Sequence, residues 1–221
     1  LAIKMSHFSE LLKNPKSAIV GIVSQFLVLP ALTFALVWLI QPTPTVALGM
    51  ILVAACPGGN ISNFISVMAK GNAALSVSLT AFATLAAIFM TPLNFEIWGG
   101  LFNSSSPAFQ PIEIDAVQMF KTVFIILGLP LLSGLYFAYK FPILTKKIAK
   151  PIRMISIVIF MAYVVIALAM NFSFFLKYIH LIILIVLAHN ALAIFTGYSL
   201  SSLFKIKGAS RRTISIETGI Q

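Results

Sequence analysis

Residues 45–69 read TVALGMILVAACPGGNISNFISVMA. The run has the length of a membrane span, for which about 17–25 apolar residues suffice. Its middle is wrong for a plain helix. Pro57 has no N–H, and Gly58-Gly59 favour non-helical backbone. A break there frees amides and carbonyls where no water can reach them, which is tolerated where the break lines a cavity. Asn60, Ser62 and Asn63 follow at once. Crossing broken helices near the bilayer midplane are how many secondary transporters build ion and substrate sites. The stretch therefore predicts an interrupted transmembrane helix with a polar site at its break.

The rest of the chain supports a membrane setting. Of 221 residues 60% are apolar and 9% charged, against roughly 45–50% and about 25% in soluble domains. Five further apolar segments are expected at Ser17–Ile40, Asn72–Leu93, Val117–Tyr139, Ile152–Met170 and Ile179–Phe204, and another opens near Ser210. Ile155–Ala169 and Ile179–Ala188 show almost no polar face, so they suit lipid and not a soluble bundle. Leu1–Lys16 alternates Lys4, Glu10, Lys13 and Lys16 with Met5, Phe8, Leu11 and Leu12, an amphipathic interfacial pattern. The start at Leu1 and the stop at Gln221 read as a piece of a longer chain. The single cysteine, Cys56, excludes an intrachain disulfide.

A net charge of +10 could suggest nucleic acid, but the basic residues sit in short loops between apolar runs and form no stripe on a soluble face. They sort by side instead. With Leu1–Lys16 placed inside, the inner loops hold Lys4, Lys13, Lys16, Lys70, Lys140, Lys146, Lys147, Lys150, Arg153, Lys205, Lys207, Arg211 and Arg212. Only Lys121 and Lys177 fall outside, with Glu96, Glu113 and Asp115. This segregation predicts a multi-pass protein of the inner cell membrane with residues 1–16 on the cytoplasmic side. The polar stretch 94–116 is expected to be an external loop.

Five acidic residues are present, and only Glu217 falls within an apolar segment. It lies about one and a half turns beyond Arg211-Arg212. A carboxylate at that depth costs several kcal/mol unless it is paired or metal-bound. Two readings are open: a cation or proton site, or a glutamate reaching back to Arg211 or Arg212. Ser76 and Thr80 are four apart, so their hydroxyls share a helix face behind an Asn72 N-cap. Gln25 is a deep amide in need of a partner, and it precedes Pro30. The collected ligands are oxygens, which suit a small hard cation such as Na⁺. His189, beside Asn190, is the one histidine expected at depth.

The strings "ACPGGNISN" (55–63) and "SIETGIQ" (215–221) resemble the two crossover motifs of the bile acid/sodium symporter family. So do "GNAALSVSLT" (71–80), the Gln of "SQFLVLP" (24–30) and the opening "MSHFSELLKNPKS" (5–17). The resemblance covers essentially the whole chain. It implies an all-α integral membrane protein with an inverted-repeat transporter fold, core and panel domains and two crossing broken helices. This chain would be a fragment of a ten-helix protein. Residues 17–93 would be core helices three to five, including the broken helix 45–69. Residues 117–170 would be panel helices six and seven, and 179–221 core helix eight and the start of broken helix nine.

The same resemblance implies two Na⁺ sites. One would use Ser62, Asn63, Ser76, Thr80 and Glu217. The other would use Gln25, Glu217, Gln221 and the carbonyls of Thr218 and Ile220. Substrate contacts are expected from Pro57, Gly58, Gly59, Asn60 and His189. The implied function is sodium-coupled symport of a small organic anion, bile-acid-like or another carboxylate or sulfonate, by alternating access. Proton coupling and a non-transporting or channel-like membrane protein are the alternatives. An intramembrane enzyme would need a nucleophile–base pair or a metal cluster at depth, and the sequence offers neither. Substrate identity and oligomeric state stay open.

Overall fold

In a computed structural model the described residues, 14–105 and 116–221, are almost entirely helical, with no strand among them. The amphipathic opening falls largely on residues 1–13, outside the described residues, as do 106–115 of the expected loop 94–116; residues 94–105 are helical and not loop. The first helix, α1, spans Pro15–Ile40. Then come α2 (Pro44–Ala55), α3 (Asn60–Met68) and α4 (Ala73–Ser105). Segments Ala116–Val123, Phe124–Gly128 and Leu129–Lys140 follow end to end as α5. The chain closes with α6 (Pro142–Met170), α7 (Phe172–Leu203) and α8 (Gly208–Gly219). Five of these helices contain stretches long and apolar enough to cross a membrane: Pro15–Ile40, Ala73–Asn103, Phe120–Lys140, Pro142–Met170 and Phe172–Leu203. The protein is a multi-pass, all-helical membrane protein.

The interruption at residues 56–59 falls where the sequence places it. α2 stops at Ala55, Cys56 turns extended at φ −81° and ψ 153°, and Gly59 is extended at the foot of α3. The break leaves carbonyls of the last turn of α2 without helical partners. Thr91 of α4 donates its hydroxyl to Ala55 O at 2.8 Å, so a neighbouring helix satisfies one of them.

Three expected boundaries move. The third apolar segment continues past Leu93 to Ser105, with Pro92 inside the helix. Proline removes one ladder bond and kinks a helix without obligatorily ending it, and membrane helices re-satisfy freed groups locally. Just beyond Pro92, Asn94 donates its side-chain amide to Met90 O at 3.0 Å. The fifth segment starts at Pro142, a residue well suited to the first helical turn, and the sixth at Phe172 after a one-residue interruption. Asn171 caps that junction by donating its side-chain amide to Ala167 O at 2.9 Å. Stretches read as loops from their lysines are therefore helical.

Two wide π turns were not legible. Ser24–Val28 in α1 and Phe124–Gly128 in α5 each end two residues before a proline, Pro30 and Pro130. Leu29 N–H reaches back five residues to Ser24 O. A wider turn relieves the clash between a proline ring and the carbonyl four residues earlier, and such bulges recur at functional sites.

The chain divides into two compact units. One holds the described residues up to Gly128 together with Ala188–Gln221, and the other holds Leu129–Leu187. In the first, Val20, Leu75, Leu79, Ile206 and Ile214 pack together, and a smaller group joins Leu29, Ala54 and Ala193. Alanines and hydroxyl residues fill much of the remaining interior, among them Ala47, Ala55, Ala83, Ser24, Thr33 and Thr213. Small residues let membrane helices approach closely, where burial of apolar area gains nothing over lipid. In the second unit α6 has no buried residue.

Candidate cation site at the broken helix

α8 carries Glu217 into the interior of the first unit, where the side chain is fully buried. Close packing makes this possible. A methyl group added at Gly197 of α7 would lie 2.7 Å from Ser215 Cα and 2.8 Å from Ile214 O. One added at Gly219 would collide with Ile194 Cγ1. Two glycines thus let the backbones of α7 and α8 touch.

Three hydroxyls from two other helices converge on the carboxylate. Ser62 Oγ of α3 lies 2.9 Å from Oε1, Ser76 Oγ of α4 also meets Oε1, and Thr80 Oγ1 lies 2.9 Å from Oε2. Asn63 Oδ1 is shared, at 2.9 Å from Ser76 Oγ and 3.2 Å from Thr80 Oγ1. Ser62 Oγ is also 2.6 Å from Gly59 O, and Thr80 Oγ1 is 3.1 Å from Ser76 O. Each hydroxyl has one hydrogen to give. Three hydrogens therefore face seven pairings. The cluster has more oxygen lone pairs than protons to fill them, which is the chemistry of a cage for a hard cation.

No basic side chain pairs with Glu217 among the described residues. The reading in which it reaches back to Arg211 or Arg212 is corrected. Arg212 donates to Lys70 O at 2.8 Å, and Arg211 lies over the Tyr198 ring at 4.9 Å and donates to Ser202 Oγ at 3.3 Å. Asn72 caps α4 as expected, its Oδ1 accepting Leu75 N–H at 3.1 Å.

The groups of the second expected set lie on α1 and at the end of α8. A methyl at Gly58 would lie 2.8 Å from Glu217 O and 3.2 Å from Ile220 O, so the break in residues 56–59 presses against the carbonyls that end α8. Gln25, inside the π turn of α1, is buried with Nε2 unpartnered, and both amide atoms of Gln221 are buried and unpartnered. An amide rotated by half a turn presents its oxygen instead. Unsatisfied buried polar atoms in a native fold ask for an explanation, and an ion is one.

Gly59 is exposed with open space beside it, and Pro57 is half-buried, so the break turns one side to the cage and another outward. Asn60 opens α3. His189 does not join the cage: its Nε2 meets Thr33 Oγ1 of α1 at 2.9 Å inside the core. Sequence reasoning missed Ser24, which is fully buried and accepts a hydrogen bond from Thr218 Oγ1 at 2.9 Å. Its place beside Gln25 was the available signal.

The sequence profile of the Sodium Bile acid symporter family matches residues 1–178. The chain belongs to that family. The matched range includes Gln25 and the Pro57–Thr80 part of the cage, and similarity to individual family relatives runs on through Glu217 to Gln221. The chain is 30% identical over 221 residues to "Uncharacterized sodium-dependent transporter YocS" of Bacillus subtilis, covering 100% of this chain and 66% of that protein. It is 33% identical over 213 residues to "Probable sodium/metabolite cotransporter BASS1, chloroplastic" of Arabidopsis thaliana, covering 95% and 50%. It is 27% identical over 224 residues to mouse "Sodium/bile acid cotransporter 4", covering 99% and 49%. These relatives carry the names of transporters, not enzymes. The chain spans about half to two thirds of their lengths.

Proposed function

We propose that the full-length protein is a sodium-coupled symporter of a small organic anion that works by alternating access. The observation that carries this is the oxygen-rich cage around a fully buried Glu217 with no cationic partner from the described chain. Sodium is the cargo that suits it: small, hard and content with carboxylate, amide, hydroxyl and carbonyl oxygens. One ion would sit among Ser62, Asn63, Ser76, Thr80 and Glu217. A second would draw on Gln25, Gln221, Glu217 and the Thr218 and Ile220 carbonyls. The names of the relatives, a sodium-dependent transporter and sodium cotransporters, agree with this reading.

Ion binding would draw α3, α4 and α8 together and fix the break at residues 56–59. The outward side of that break, at Pro57 and Gly59, followed in the chain by Asn60, is the proposed contact for substrate. The positive end of the α3 dipole and the bound cations favour an anion there. His189, buried and bonded to Thr33, is assigned to the core instead. Two Na⁺ with one monoanion would carry net positive charge, which gains about 2.3 kcal/mol per 100 mV of inside-negative potential. Residues 1–16 would lie on the cytoplasmic side of the inner membrane.

Uptake of labelled organic acids into proteoliposomes tests the reading. Replacing Na⁺ by choline at fixed pH should abolish uptake, and an inside-negative potential should speed it. Uptake indifferent to both rejects sodium coupling, and uptake that follows only the pH gradient transfers the site to a proton.

A further inference from the structure

The chain's carboxylates stand at Glu10, Glu96, Glu113, Asp115 and Glu217, so none occurs from Ala116 to Ile216. Within that stretch the junction of α5 and α6 gathers Lys140, Lys146, Lys147, Lys150 and Arg153, all exposed. At 100° per residue, Lys146, Lys150 and Arg153 fall within an arc of about 60° on α6. Their axial span is about 10 Å at 1.5 Å per residue, comparable to the headgroup layer of one leaflet, roughly 5–8 Å. Beyond Arg153 the exposed surface turns apolar: Ile155, Ile157, Val158, Ile159 and Phe160 all face outward. Lys140 is placed against aromatic rings, 5.8 Å from the centre of Tyr136 and 5.7 Å from that of Phe141. Exposed tyrosines at the end of an apolar helix mark the membrane–water boundary.

Setting the orientation of a membrane helix needs only an excess of positive charge on one side. It does not need three of those charges aligned on one stripe, in a stretch of chain from Ala116 to Ile216 that holds no carboxylate. We propose that the first three turns of α6, with Lys140, form a binding site for the phosphate of anionic phospholipid headgroups. Lys146, Lys150 and Arg153 supply the charge-assisted hydrogen bonds, Arg153 offering a planar fork to phosphate oxygens. The acyl chains would lie along the apolar face that follows. This site lies within the Leu129–Leu187 unit and stands whatever the protein carries.

Native mass spectrometry of the delipidated full-length protein tests it, with phosphatidylglycerol, phosphatidylcholine and inorganic phosphate as separate probes. Phosphatidylglycerol should be retained over phosphatidylcholine, and each charge removed should weaken that preference by roughly fivefold near an anionic surface. The triple variant Lys146→Gln/Lys150→Gln/Arg153→Gln should therefore lose it. The charge-matched control Lys16→Gln/Lys121→Gln/Lys177→Gln should keep it. Equal retention of the two lipids overturns the proposal, as do equal losses in both triple variants or displacement of the lipid by inorganic phosphate at matched concentration. Should the first variant not fold, the unaltered protein decides: its preference must fall as ionic strength rises, and a salt-independent preference overturns the site.

Discussion

α6 and α8 invert the arrangement of a water-soluble protein. α6, which runs through Ile155–Met170 with little but apolar residues, has no buried residue among its 29. α8, which reads GASRRTISIETG, buries Thr213, Ile214, Ser215, Glu217, Thr218 and Gly219 among its 12. α7 contains both behaviours. Its five buried residues, His189, Ala193, Thr196, Gly197 and Ser201, all lie in its second half. Where lipid is the solvent, apolar side chains need no protein cover, and the polar ones must find partners inside. Burial therefore gathers the polar side chains of this molecule, and apolarity marks the surface that lipid can cover.

The sharpest way to break this contrast is to remove the charge from the fully buried carboxylate of α8. Glu217→Gln should weaken the apparent Na⁺ affinity at least ~100-fold, equivalent to about 2.7 kcal/mol. Thermal unfolding at increasing Na⁺ reads it, since an ion that binds only the folded state raises the midpoint. An unchanged Na⁺ dependence would remove the carboxylate from the site.

Next come glycines on the two sides of the contrast. Gly197→Ala sets a methyl against the backbone of α8 and should destabilise by about 1–3 kcal/mol. Gly134→Ala in α5 meets nothing within 4 Å and should stabilise by roughly 0.5–1 kcal/mol through helix propensity. Denaturation of both variants in mixed micelles gives the two signs, and equal effects would mean that α7 and α8 are not in close contact.

Ser24→Ala should have a smaller effect. Losing the hydroxyl that accepts from Thr218 is worth about 1 kcal/mol, a roughly fivefold rise in the Na⁺ concentration for half-maximal uptake. Ser24→Thr, which keeps an acceptor there, should restore most of it. Smallest of all, Ile157→Leu on exposed α6 should shift stability by less than about 0.5 kcal/mol. A larger shift would reveal a protein partner on that face.

Much of this was legible before any coordinates. Pro57-Gly58-Gly59 announced the break because a missing N–H and two residues without Cβ act locally, whatever the surroundings. Asn72 as a cap, and Ser76 with Thr80 on one face, followed from helical period alone. That these hydroxyls meet Glu217 came from the family resemblance; no local rule joins residues 137 to 155 positions apart. Thr33–His189 and Ser24–Thr218, 156 and 194 positions apart, were not foreseen. The continuation of α4 past Leu93 and the helical start of α6 were misread because polar residues and lysines were taken as loop, a rule weakened where the backbone has no water to turn to.

The π turn at Ser24–Val28 also sets a rule of register. A wide turn takes up one residue more than a regular turn over nearly the same rise. Deleting a single residue from Phe26–Val28 would let α1 close into an ordinary helix while the segments on either side kept nearly the same faces. The same deletion in a regular turn of α1 would swing everything before the cut by about 100°. The wide turn therefore absorbs a change of length by one position, and chains that differ there by one residue share both the motif and the face it presents.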